Sequence, residues 1–446
     1  MKKILLLSGI VLAAAVVWAF SLRAARASAD YTVHEWGTFT SVQGGDGKLL
    51  AWMPLLTSEL PGFVHNWDKP ELNRSSTSRY HGKGGMITLQ RMETPVIYFY
   101  AKTNLAVDVS VDFPKGVITE WYPQASQIGP SVPADTNLPG AQTTLAESRA
   151  VWKNLQLAPS PEKLPDPALT LPEDKKGRHY FAARATAANL VQMNFPSETK
   201  ALPEIEKYIF YRGAGSFSTP LRMTVSEQGA VAVENSGAQK LSQLILVSIH
   251  NGQGAFAVMD DLPAGKSAAW LNLAATDAGR WKFVAMPDFQ NGICTQMESA
   301  LMREGLFADE AKAMVNTWQD SWFAEEGKRV LYILPRAWTD EILPLTINPA
   351  PTQLTRVMVG RAEVITPAAI NHFLADLEKV QPRAVAARNQ AMADLKSFGR
   401  FAGPALNLVN RHGTSTNILN LSYQLFSEAS AKDFAARFGQ APATSE

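Results

Sequence analysis

A single cysteine, Cys294, stands among 446 residues, so an intramolecular disulfide and a thiolate zinc cluster are both excluded. Neither sign of charge is in excess: 42 Lys and Arg face 41 Asp and Glu, for a net charge of +1. That balance offers no basic surface for nucleic acid and no acidic tail. Beyond the first twenty residues no run is apolar enough to span a bilayer. The chain also has no HExxH, no GxSxG, no Walker loop, no GxGxxG and no internal repeat, which removes the familiar hydrolase, nucleotide-binding and solenoid signatures.

What is present starts with a leader. Lys2 and Lys3 precede an apolar run from Ile4 to Phe20, and Ala27-Ser28-Ala29 has the small-x-small form of a cleavage site. Residues 1–29 are therefore expected to be a signal peptide, with Asp30 as the mature N-terminus in a periplasmic or secreted protein. The run is also near the lower limit for an uncleaved anchor, so membrane contact would come only through a retained leader.

The full sequence is 46% apolar, enough for a large core. In "LAVDVSVDF", Val107, Val109 and Val111 alternate with Asp108, Ser110 and Asp112, the period of a half-buried strand. "TPVIYFY" and "GVITEWY" flank it, so residues 30–122 are expected to form a β domain. Nine prolines between Pro123 and Pro172 mark residues 123–177 as a connecting excursion, with "AESRAVWKNLQL" a short helix or strand inside it. Strands then return in close succession over 178–289, from "HYFAARATAANLVQM" to "RWKFVAM", as in a second β-sandwich. "YRGAGSF" within it carries Gly213 and Gly215, which either form a tight bulge near Arg212 and Ser216 or, the plainer reading, a hairpin corner.

Residues 290–446 are mixed α/β and helical. Ala311, Met314, Val315, Trp318 and Trp322 fall on one helical stripe; the tryptophans either stack sugars or, the plainer reading, pack on the sheet. Thr366-Pro367 begins a further helix with an N-cap hydroxyl and a first-turn proline. The fold class expected is thus mainly β with an α+β C-terminal part: two β-sandwich-like domains followed by helices. Cys294 lies where a helix is expected to begin, whose positive end would lower its pKa; an inert buried thiol is the plainer reading.

Chemistry concentrates in the first β region. Alternation places Glu35 with Val33 and Phe39, His34 with Trp36, Glu120 with Ile118 and Tyr122, and Glu93 with Ile97 and Phe99 if its strand runs unbroken through Pro95. A carboxylate in register with apolar residues is costly unless paired, hydrogen-bonded or metal-bound. Glu35, Glu93 and Glu120 are therefore the candidate catalytic acids and bases, and His34, His65 and His81 the candidate metal ligands. Arg91, Arg79, Tyr98 and Trp121 are the candidate binding residues. His34 and Glu35 point to opposite faces of a regular strand, so both serve one site only if a bulge, for which Gly37 is placed, intervenes. Imidazole and carboxylate ligands suit Zn, Mn or Fe, and Ca where histidine stays out. The sober alternative is that Glu93 and Glu120 are ion-pair partners of Arg91 or Arg79.

"VHEWGTFTSV", "METPVIYFY", "ITEWYPQA" and "WFAEEGKRVLYILPRAWTDEILPL" together resemble a family of exported bacterial proteins that shares an HEWGTFT motif. The resemblance covers most of the mature chain. It implies export from a bacterial cell and brings no activity, cofactor or catalytic residue with it.

Two functions follow as expectations. One is a metal-dependent hydrolase of an envelope or extracellular polymer, in which the ion activates water and a carboxylate serves as base. The other is a non-catalytic protein that binds a glycan or an envelope protein, which a row of exposed indoles would favour, tryptophans in the core leaving the choice open.

Overall fold

The computed structural model describes residues 29–55, 60–66, 86–129, 148–159, 170–175, 177–271, 281–381, 384–411 and 415–438. Residues 1–28, Arg79 and His81 lie outside the described residues.

One ten-stranded sheet organises the chain. Its order is Val284–Ala285, Gln253–Leu262, Leu241–His250, Gly327–Leu334, Pro351–Ile365, Ala29–Gly44, Gln90–Ala101, Ile209–Gly215, Gly116–Tyr122 and His65–Asn66. Ala29–Gly44 sits near the middle, parallel to Pro351–Ile365 and antiparallel to Gln90–Ala101. Gln90–Ala101 is buried along nearly its whole length, as expected of a strand covered on both faces.

Two smaller sheets cover one face. The first contains Leu345–Asn348, Leu105–Phe113, Ser148–Ala158, Leu190–Met193 and Glu204–Glu206 in that order, with Gln127–Gly129 paired to Ser148–Ala158. The second contains Leu221–Val225, Val231–Asn235 and Ser267–Leu271. Their inward residues, among them Val109, Val111, Trp152, Met223 and Val233, share a core with Val33, Phe39, Phe99 and Tyr211 of the large sheet.

Helices cover the other face in two groups. Met286–Arg303 and Ala308–Phe323 lay Ile293, Met297, Met314, Trp318 and Trp322 on Trp36, Val96, Phe210 and Val357. Further along the same face, the C-terminal helices bring Ile370, Phe373, Leu395, Phe401 and Val409 onto Val42, Trp52 and Ile365. The helix Pro367–Glu378 starts as expected, with Ala369 N donating to Thr366 Oγ1 at 3.2 Å.

The chain is mainly β with its long helices in the C-terminal part. Strands from 30–122, from 178–289 and from beyond 290 hydrogen-bond within the same large sheet, so the composition changes along the chain do not divide it. Period-2 alternation marks a strand but carries no information about which strand will lie beside it. "AESRAVWKNLQL" contains the strand Ser148–Ala158, whereas "HYFAARATAANLVQM" splits into the helix Arg178–Ala182 and the strand Leu190–Met193.

Cys294 sits in the middle of its helix, because Pro287 in the first turn starts that helix at Met286. Burial, with Glu298 nearby, pushes its thiol up, opposite to what a nucleophile needs. Trp318 and Trp322 pack on the sheet, and Trp36, Trp52, Trp121 and Trp152 are buried too. No row of exposed indoles occurs among the described residues.

Candidate functional site

Two bulges decide which way the acidic side chains point. Trp36 pairs with Val96 and Thr38 pairs with Glu93, so Gly37 alone opposes Thr94 and Pro95. Thr94 takes a positive φ of 48° there, a conformation that costs a β-branched residue about 1–2 kcal/mol. The extra residue turns Glu93 onto the face of Val96 and Tyr98, away from Ile97 and Phe99. A second shift pairs Arg212 with Glu120 but Gly213 with Ile118, leaving Thr119 over. Glu120 therefore keeps company with Tyr122 and loses Ile118. "YRGAG" is not the hairpin corner its glycines suggest but part of the continuous strand Ile209–Gly215, and the residue left over beside Arg212 belongs to the partner strand.

Gly37 is indispensable to the first bulge, since a Cβ there would stand 2.9 Å from Pro95 Cα and 3.1 Å from Met358 Sδ. Gly37→Ala is expected to lower stability by about 1–3 kcal/mol through backbone displacement. A shift in the urea unfolding midpoint at unchanged slope measures it; no shift would mean the bulge adapts freely.

As a result, Glu93 and Glu120 share the helix-covered face, with Arg212 on the strand between them. They belong to a charged seam that crosses the sheet between the two helical cores. Arg400 Nη1 donates to Glu93 Oε1 at 2.7 Å, and Arg91 Nε lies 3.7 Å from the same oxygen. Arg361 donates to Glu363 at 2.7 Å, to Glu325 at 2.6 Å and to Ser321 Oγ at 2.5 Å. Arg329 pairs with Glu363 at 2.9 Å and donates to the carbonyls of Trp322, Glu325 and Glu326 at the end of the helix Ala308–Phe323. Arg400 comes from the C-terminal part, over the rings of Trp52 and Phe401, and also reaches Ser321 Oγ at 3.2 Å.

Electrostatics follow from burial and neighbours. Burial would raise the Glu93 carboxyl, but Arg400 and Arg91 override it and hold the group well below the usual carboxylate range. Burial pushes Arg91 down to about 10, only partly offset by Glu93, and lowers Arg212 against the pull of Glu120. His179, on Arg178–Ala182, belongs to the same neighbourhood: burial first, then Arg212 and Arg91, push its imidazole down to about 4.

Thr38 and Thr40 face this seam between Glu93, Arg91 and Arg361. Each is 1% exposed, and neither hydroxyl has a hydrogen-bond partner among the described residues.

The other expected site residues lie elsewhere. Glu35 faces the opposite side of the sheet, where Arg356 Nε and Tyr211 OH both donate to it at 2.5 Å. His34 is on the helix face, but its Nδ1 meets Glu310 Oε2 at 2.6 Å, and Glu310 also accepts from Tyr100 OH and from Phe307 N. This group ties the strand Ala29–Gly44 to the first turn of the helix Ala308–Phe323. His65 Nε2 meets Glu204 Oε1 at 2.7 Å and the ring stacks on Trp121 and Tyr122 at the sheet edge. Four strand steps separate the strands of His34 and His65, about 19 Å at the usual spacing, so no single ion joins them. Tyr98 donates to Ala183 O and Trp121 to Gln124 Oε1; both side chains are fully buried.

Strand alternation does not single out Arg361, Glu363, Arg329, Glu325, Arg400 or His179. A usable signal exists for three of them. Arg329, Arg361 and Glu363 interrupt strongly apolar strands, "RVLYIL" and "VMVGRAEVI", where a charge is retained only if something pairs it.

No family model matches this chain, and no curated protein does. Among solved structures it is similar to the Mu homology domain of Fcho1 from Danio rerio, determined with a bound Eps15 peptide. That likeness has a TM-score of 0.28 and 7% identity over 76% of this chain and 99% of that one, too distant to carry an argument about fold or function.

Proposed function

We propose that the chain is an exported protein of the bacterial cell envelope that binds an envelope or extracellular polysaccharide without converting it. The state of Glu93 carries the reading. A general acid needs a carboxyl raised toward neutral pH, and a metal ligand needs a lone pair directed at the ion. Glu93 is instead held ionised by Arg400 and Arg91, the setting of a fixed counter-ion. The imidazoles expected as metal ligands do not meet, since His34 and His65 are each engaged by a separate carboxylate on separate strands, and the described group that could hold an ion, His372, Asp376 and Asp394, includes none of the expected catalytic carboxylates. The leader supports the envelope location.

The test uses the chain as exported, residues 30–446, purified without chelator. Retention on insoluble envelope and extracellular polysaccharides, release of reducing ends, and metal by mass spectrometry are measured together. Retention without product and with substoichiometric metal is the expected result. Product release that needs bound metal and disappears in Glu93→Gln would replace this reading with the hydrolase.

A further inference from the structure

We propose that the seam beside Thr38 and Thr40 receives an oxyanion, the carboxylate or phosphate of an acidic polymer, with Arg361 and Arg400 as its cations and the threonine hydroxyls and Ser321 as hydrogen-bonding partners. This rests on the binding reading above and names the class of ligand.

The first support is the pair of hydroxyls. A buried hydroxyl almost always has a partner, and leaving one unsatisfied costs about 1–3 kcal/mol. Thr38 and Thr40 are two such hydroxyls two residues apart on one strand, so both project from the same face into the same seam. Valine would fill the same space without that penalty. Among the described residues nothing uses these oxygens, and an acceptor from outside would complete them.

The second support is the cation pair around Ser321. Arg361 and Arg400 converge on its hydroxyl, at 2.5 and 3.2 Å, and Arg361 is the lateral ladder neighbour of Thr40. Two planar guanidiniums beside hydroxyl donors form a bidentate oxyanion cradle. The side of the cradle at Glu325 is open, its side chain 41% exposed and its carboxylate resting on Arg361. An incoming oxyanion would exchange with the carboxylate of that partly exposed side chain, which leaves the buried pair Arg329–Glu363 undisturbed. The strained backbone at Thr94, next to Glu93, is a further sign of a position held for use rather than for stability.

The experiment is calorimetric titration of the exported chain with inorganic phosphate, a galacturonate trimer and a neutral galactose trimer, at low and moderate salt. Thr38→Val/Thr40→Val is the diagnostic variant: it keeps volume and charge, and it is expected to fold with stability equal to or above the parent. Binding of an oxyanion probe, weakened by salt and reduced at least about tenfold in that variant, is the expected result; tenfold corresponds to about 1.4 kcal/mol. Phosphate alone or the galacturonate trimer alone identifies which acidic group the seam accepts. Arg400→Gln, at the seam's solvent side, is expected to weaken binding and reduce its salt dependence. Oxyanion binding that is identical in parent and double variant overturns the inference, as does a folded parent that binds neither oxyanion. Binding of the neutral trimer alone overturns it too, yet leaves the polysaccharide-binding reading standing.

Discussion

Glu35→Ala loses about 3–5 kcal/mol of folding free energy, the cost of leaving a buried charge without its partner. Glu35 and Arg356 are lateral neighbours on the two parallel strands at the centre of the large sheet. Their side chains are 0% and 1% exposed and meet at 2.5 Å. Burial would lower the guanidinium, but Glu35, helped by Tyr211 and Asp340, raises it above its ordinary value. Removing the carboxylate strands that charge and also leaves the Tyr211 hydroxyl without its acceptor. Asp340, partly exposed and 2.8 Å from Arg356, recovers some of the loss, which places the expectation toward the lower end of the range. Glu35→Leu/Arg356→Met should restore much of it, since a well-packed apolar pair can replace a buried ion pair at little cost. Urea unfolding of the parent, the single and the double variant measures the cycle. A single variant within about 0.5 kcal/mol of the parent would mean the pair contributes nothing.

The second large effect is a loss of stability as pH falls from 6.5 toward 4. His179 has its pKa lowered from 6.5 to about 4 by burial and by Arg212 and Arg91. A group depressed in the folded state is neutral there while the unfolded chain already binds its proton. Its contribution is complete above the unfolded value and is lost as pH drops through this window. The slope reaches at most about 1.4 kcal/mol per pH unit for one proton, so about 2–3 kcal/mol in all. Glu93 acts in the same direction but at lower pH, because its carboxyl is held well below the usual range and its contribution falls away only below the unfolded carboxylate value. Unfolding free energies at pH 7, 6, 5 and 4.5 should therefore decline in the parent and stay nearly flat in His179→Gln. Equal slopes in both would place the proton on another group.

Much of the local structure was legible in the residues. Alternation placed Glu35 with Val33 and Phe39 and His34 with Trp36, and those five sit on the faces it assigned. The wide stripe of Ala308–Phe323 packs as its period requires, and Thr366 caps the helix it precedes. The tryptophan stripe turned inward because it opposes an apolar sheet face, the bland outcome for such a pattern.

Alternation failed at Glu93 and at Ile118 for one physical reason. A single extra residue in a strand inverts the face of everything beyond it. The signs of it, Gly37 and the Thr94-Pro95 step on one side, Gly213 on the other, say that a bulge is near without saying which strand carries the extra residue. From the sequence, a bulge at Gly37 is expected to redirect His34 or Glu35. The extra residue lies in the partner strand instead, so those two remain on opposite faces and Glu93 is the side chain redirected.

By itself, then, the sequence determined an apolar, charge-balanced, mainly β chain with a leader-like start, and it marked Glu93, Glu120 and Arg91 as side chains that a buried strand must pair. Those conclusions depend only on local period and on the cost of burying charge, both of which act over a few residues. Tertiary structure alone decided that Glu93 answers to Arg400, more than 300 positions away, that Glu120 faces Arg212, and that His34 and His65 never meet. Pairings of that kind are fixed by strand order and by the way two helical groups close over one sheet face, and no local period in the chain encodes either.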